Sequence, residues 1–142
     1  MSATRSRKEE KTYKNYLKLL EPGLCVFCHA KDEELVRTTK HFKIIRNIFA
    51  YSIWDGQDVK DHLMVIPHKH VDSVAHFTDN MVAEYHKLLG EYEQQGYNIY
   101  ARAPASKIKS VVHQHTHLIR TEGAAKNLIL LMRKPYYFRV AA

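Results

Sequence analysis

Residues 111–119 read Val-Val-His-Gln-His-Thr-His-Leu-Ile, with three histidines at strict two-residue spacing: His113, His115 and His117. Side chains along a β-strand alternate between its faces, so a strand here projects all three imidazoles from one side, roughly 7 Å apart. Histidine is the side chain whose ordinary pKa lies nearest neutrality, and its neutral ring is both a nucleophile and a metal ligand. Such a row is a candidate reaction site. The plainer alternative is a His-rich strand that binds metal or faces solvent.

The 142 residues around this stretch are 45% hydrophobic and 26% charged, which is the composition of a globular domain with a proper core. No apolar run approaches the ~20 residues of a membrane span. Residues 1–16 lack the apolar core of a secretory signal, so a cytoplasmic location is the expectation. The formal net charge of +7 favours anionic partners such as nucleotides, polyphosphates or nucleic acid. The excess is scattered along the chain, however, and a merely solvated basic surface fits it equally well.

The two cysteines, Cys25 and Cys28, form a C-V-F-C pair. In a reducing compartment such a pair is a metal half-site or a redox couple rather than a structural disulfide. Thioredoxin-like chemistry wants the pair at a helix start within a βαβ pattern, whereas the preceding Glu-Pro-Gly-Leu reads as a turn. Zinc needs two further ligands, and ten histidines are available.

Residues 1–10 are polar and are expected as a flexible basic tail, leaving 11–142 as a single domain. Tyr13, Tyr16, Leu17 and Leu20 recur at helical spacing and predict a short helix over 11–20. Strands are predicted at 34–38, 42–47, 62–66, 97–103 and 110–121, with extended segments at 127–133 and 136–140. The polar residues 52–61 read as a long loop around Asp55-Gly56. A helix capped by Thr78 follows, with Met81, Val82, Tyr85, Leu88, Leu89 and Tyr92 on one face. Strands interrupted by one long helix indicate an α+β fold with a mainly antiparallel sheet of about five strands. No G-x-G-x-x-G or P-loop pattern is present, which excludes nucleotide binding by those routes.

Three stretches, in order, carry a resemblance to a known family. His113–His117 with Leu118 and Ile119 resembles the His-x-His-x-His signature of the histidine-triad (HIT) family. Residues 62–74, HLMVIPHKHVDSV, resemble that family's apolar strand, proline and closing histidine. The pair Cys25 and Cys28 resembles the zinc-binding cysteines of its metal-containing members.

The resemblance implies a small α+β fold, a two-fold homodimer, and hydrolysis or transfer of nucleoside monophosphates through a covalent nucleotidyl-histidine. It places the nucleophile at His115 and phosphate stabilisation at His117. It also implies nucleotide contacts from Asn47, on the ribose side, and from His62, Arg102, Lys109 and Ser110. Ser110 would hold phosphate or protonate the leaving group, although its odd spacing from His115 requires a bend or bulge. Zinc, one structural ion per chain, would be held by Cys25, Cys28, His70 and His113. His113 alternatively just hydrogen-bonds His115. Asn47 alternatively caps a turn.

Some residues depart from the family pattern. Gln114 and Thr116 are polar where apolar spacers are usual, so the back of that strand is expected to be less buried or hydrogen-bonded. Ala50 stands for a proline and Asp61 for a glycine. The loop at 52–61 is longer, with Trp54 as a lid, a base-stacking element or simply a packed side chain. Arg102 and Lys109 replace an Asn and a Gln, which points toward longer polyphosphates. Three functions follow from these readings. The first is a nucleotide hydrolase or nucleotidyl transferase; the second is a zinc-stabilised nucleotide- or partner-binding module with little turnover. Action at nucleic-acid ends is the third and least favoured. No membrane association is expected.

Overall fold

The computed structural model describes residues 4–21, 23–30, 32–125, 129–133 and 137–141. Helix α1 (Arg7–Leu19) opens the fold. It begins four residues before the predicted start at residue 11, because Ser6 and Glu9 form a reciprocal capping box. Residues 7–10, expected as part of a tail, belong to this helix instead. Thr4 O accepts from the Ser52 amide at 2.8 Å, and the Arg5 guanidinium donates to Phe49 O at 3.0 and 2.7 Å.

Strands β1 (Leu35–Thr38) and β2 (Phe42–Arg46) come next. Residues 52–61, expected as a loop, instead form a hairpin between β3 (Ile53–Trp54) and β4 (Gln57–Pro67). Asp55 and Gly56 both have positive φ, 48° and 77°. This is the pair of conformations a two-residue hairpin turn requires, and Asp-Gly supplies it at low cost. Helix α2 (Asp79–Glu93) is capped by the Thr78 side chain on the Met81 amide. Strands β5 (Asn98–Ala101) and β6 (Thr116–Glu122) complete the main sheet.

That sheet has six strands, all paired antiparallel, in the order β1-β2-β4-β6-β5 with β3 on β4. Together with the two helices it gives the expected α+β class, one strand larger through the short β3. Strands β7 (Ile129–Arg133) and β8 (Tyr137–Ala141) pair separately; residues 127, 128 and 136 of the predicted extended segments lie outside the described residues.

Period-two alternation divides the core between the two faces of the sheet. Phe42, Ile44, Leu63, Val65 and Leu118 pack under α2 against Met81, Leu88 and Tyr92. Ile45, Met64 and Ile66 face the other way and pack with Phe27 and Val111. His62 alternates with Met64 and Ile66, so it shares this second face, where α1 and the cysteine turn lie.

Candidate active site and metal cluster

The strand predicted over 110–121 begins only at Thr116. His117 alone of the three histidines therefore lies on a strand. Other partners hold the residues before it: the Gln114 amide donates to Val71 O at 2.6 Å, and the His113 ring meets Pro67 O at 3.0 Å. The chain bends there, so the three imidazoles do not form a row. Each points to different partners. The parity objection to Ser110 also disappears, since no strand runs through it.

His113 turns toward the cysteines. Its Nδ1 lies 3.4 Å from Cys25 Sγ and 3.5 Å from Cys28 Sγ, while His70 Nδ1 is 3.3 Å from Cys28 Sγ. The ligand atoms of Cys25, Cys28, His70 and His113 all lie within 4.8 Å of one another. An N₂S₂ tetrahedron with bonds of about 2.0–2.3 Å has ligand-to-ligand spacings of this size. Because His113 Nε2–H donates to Pro67 O, the lone pair rests on Nδ1, the nitrogen facing the sulfurs. The four residues thus fit a metal ion both in distance and in tautomer.

His115 is oriented by the backbone. Its Nδ1–H donates to the His113 carbonyl at 2.8 Å, which leaves the lone pair on Nε2. The Phe27 ring packs at 4.9 Å between centroids. Burial pushes this imidazole down to about 4; Lys109 and Arg102 push the same way, and the His113 carbonyl opposes them. The ring is neutral, with a free lone pair, at any pH near 7.

The His117 tautomer follows from a two-step relay. The Tyr51 amide donates to His62 Nδ1 at 3.0 Å, so the His62 proton resides on Nε2. That nitrogen lies 2.9 Å from His117 Nδ1 and donates to it. His117 therefore carries its own proton on Nε2. Burial pushes His62 down to about 3, with Arg5 second. His117 falls well below the usual histidine range, chiefly through burial and then through His115, His62, Arg102 and Arg5. Beside one another stand a lone pair at His115 and an N–H at His117, with ring centroids 5.0 Å apart.

A cavity of about 380 Å³ opens onto both rings. His115, His117, Asn47, Arg102 and Ser110 line it, and Tyr13, Tyr16 and Leu17 of α1 with Leu20 just after it form an apolar wall. His62 stands behind His117. Asn47 Oδ1 accepts from the Phe49 amide at 3.0 Å and its Nδ2 lies 3.2 Å from His62 Nε2, so it also caps the turn after β2. Lys109 is directed elsewhere, donating to Asp72 O at 2.9 Å and Gln114 Oε1 at 3.2 Å. Arg102 donates to Tyr51 Oη at 3.2 Å. Trp54 packs down on Tyr51 and Tyr100, centroids 5.8 and 4.9 Å apart, rather than forming a lid.

The polar spacers are buried and satisfied. Thr116 Oγ1 bonds Tyr85 Oη of α2 at 2.6 Å, and Gln114 takes the Lys109 ammonium. Sequence reasoning missed Tyr13 of α1 and Arg5 just before it, both of which line the cavity. The Ser6…Glu9 capping spacing was the legible signal that the chain is helical from there.

No family model matches the sequence, and no curated protein matches it. Solved structures do match. A HIT family hydrolase from Clostridium thermocellum aligns over 75% of this chain and 97% of its own at 18% identity, TM-score 0.54. A member of the HIT family from Bacillus subtilis aligns over 70% and 74% at 25% identity, TM-score 0.52. A zinc-bound histidine triad family protein from Mycobacterium smegmatis aligns over 69% and 75% at 20% identity, TM-score 0.52. The antiparallel sheet, the long helix beneath it and these alignments together establish that the chain has the histidine-triad fold.

Proposed function

We propose that the protein is a nucleotide hydrolase or nucleotidyl transferase that acts at the α-phosphate of nucleoside polyphosphates, dinucleoside polyphosphates or phosphoramidates. The observation that carries this reading is the pair of complementary tautomers at the cavity: a lone pair on His115 Nε2 and a proton on His117 Nε2. A nucleophile and a hydrogen-bond donor on adjacent rings are what phosphoryl transfer asks of a protein. His115 Nε2 attacks phosphorus in line and expels the leaving group, giving a nucleotidyl-histidine. His117 Nε2–H donates to a non-bridging oxygen as charge gathers there. Water then attacks the intermediate and releases the nucleoside monophosphate.

Neither step needs a proton removed from the nucleophile, because His115 is already neutral. Asn47 and Arg102 serve as binding residues in the cavity, Ser110 as the hydroxyl nearest the leaving group, and His62 as the support that fixes His117. Lys109 acts at a distance, through Gln114 and the field at His115. The metal of the Cys25, Cys28, His70 and His113 cluster is zinc on this reading, in a closed site that supplies structure rather than chemistry. The chain is read as a homodimer, for which β5, an edge strand among the described residues, is available with its exposed Ile99.

The test is a search for the adduct. Wild-type protein mixed with adenosine polyphosphates and phosphoramidates is expected to gain the mass of one adenylyl group, a nucleoside monophosphate less water. His115→Ala should abolish that gain and lower turnover by about 10³-fold or more. Tight nucleotide binding without turnover of any class would establish the binding module instead.

A further inference from the structure

We propose that Tyr13, on helix α1, is a positioning residue that feeds a proton through Ser110 to the leaving group. This rests on the covalent reading above and adds to it a residue from the opposite end of the chain. The Tyr13 hydroxyl donates to Ser110 Oγ across 97 residues of sequence. Both side chains line the cavity that His115 and His117 share. With its oxygen engaged as an acceptor, Ser110 has its own proton free to donate.

The placement of Tyr13 is over-determined. Its ring packs on Phe49 at 5.1 Å between centroids, as Tyr16 does at 4.9 Å. Arg5 anchors the start of the helix through two bonds to Phe49 O. The same guanidinium sits 4.6 Å from the Tyr13 ring centroid. That cation–π contact adds a further restraint on where the ring lies.

The proton balance closes over the two half-reactions. As His115 Nε2 bonds to phosphorus, the breaking bond's electron pair goes to the leaving atom, which takes the Ser110 proton. Ser110 takes the Tyr13 proton, leaving a phenolate beside Arg5. When water attacks the nucleotidyl-histidine, its proton returns through Ser110 to Tyr13 and His115 leaves as a neutral ring. No other reactant is required. The demand for this proton grows with the basicity of the leaving group.

That dependence is the test. Adduct formation is followed in single turnovers with two adenosine monophosphoryl substrates, one releasing an alkylamine and the other p-nitrophenol. Tyr13→Phe should slow the amine substrate by about tenfold or more and leave the nitrophenyl ester within about twofold. The Ser110→Ala variant should also slow the amine substrate, and adding Tyr13→Phe to it should slow that substrate little further, as expected of groups acting in series. Unfolding midpoints of the variants verify that they fold. Equal slowing of both substrates by Tyr13→Phe, or slowing of neither, overturns the proposal. Failure of the wild type to form an adduct with either substrate overturns the covalent reading itself, and is seen without any variant.

Discussion

At the scale of single residues, much of the site is decided by where one proton sits. His62 is 2% exposed and pinned between the Tyr51 amide and His117. Its folded-state pKa of about 3 lies below the ordinary value of about 6.5. Between those values the unfolded chain binds a proton that the folded chain refuses. Stability is therefore complete above pH 6.5 and declines as pH falls toward 3. At pH 5 the loss from this one ring is about 2 kcal/mol. Urea titrations at pH 7.5 and pH 5 should show a smaller pH effect in His62→Gln than in the wild type; an unchanged difference would sink the assignment. The identities of these residues were legible, since the spacing of His113, His115 and His117 and the closing His70 are written in the chain. Their tautomers were not, because each is fixed by a backbone group distant in sequence or hidden by a bend, such as Pro67 O, Tyr51 N or His113 O.

Among the elements, α2 was the most legible: its Thr78 cap forms and its expected apolar face packs on the core, apart from Val82, which is exposed. The boundaries of β6 and α1 were not. Alternation in residues 110–121 fits a strand throughout, yet Gln114 bonds Val71 O and Lys109 bonds Asp72 O, so no ladder forms before Thr116. Residues 52–61 looked like a loop because polar side chains dominate them. Two-sided exposure of the outer part of β4 explains this: Asp58 and Lys60 face solvent while Val59 and Asp61 are half-buried. Helix α1 depends on its start, where Glu9 accepts from both the Ser6 amide and the Ser52 hydroxyl. Ser6→Ala should cost about 1 kcal/mol. It should also loosen the α1 wall, raising KM for a nucleotide more than it lowers kcat. A variant with wild-type stability and KM would show that the cap is idle.

For the molecule as a whole, one sheet separates two duties. The α2 face is a closed apolar core, while the opposite face carries the cavity, the histidines and the cysteine turn. No described helix is long and apolar enough to cross a membrane. The formal charge of +7 gives little guide to the site, where the cations acting on the histidines are Arg5, Arg102 and Lys109. Metal removal is the informative perturbation at this scale. Elemental analysis should find about one zinc per chain, and a Cys25→Ser, Cys28→Ser double variant should lose it and melt several degrees lower. Retained stoichiometry in that variant would contradict the ligand set.

The carbonyl of His113 holds His115, while the ring of the same residue faces Cys25 and Cys28. One residue thus joins the candidate metal ligands to the ring that faces the cavity, so the proposed zinc and nucleotide sites share a support. Thermodynamic reciprocity then applies: whatever factor zinc adds to nucleotide affinity, nucleotide must add to zinc affinity. A saturating non-hydrolysable nucleotide should slow zinc loss to a chelator, so the occupant of one site guards the occupant of the other.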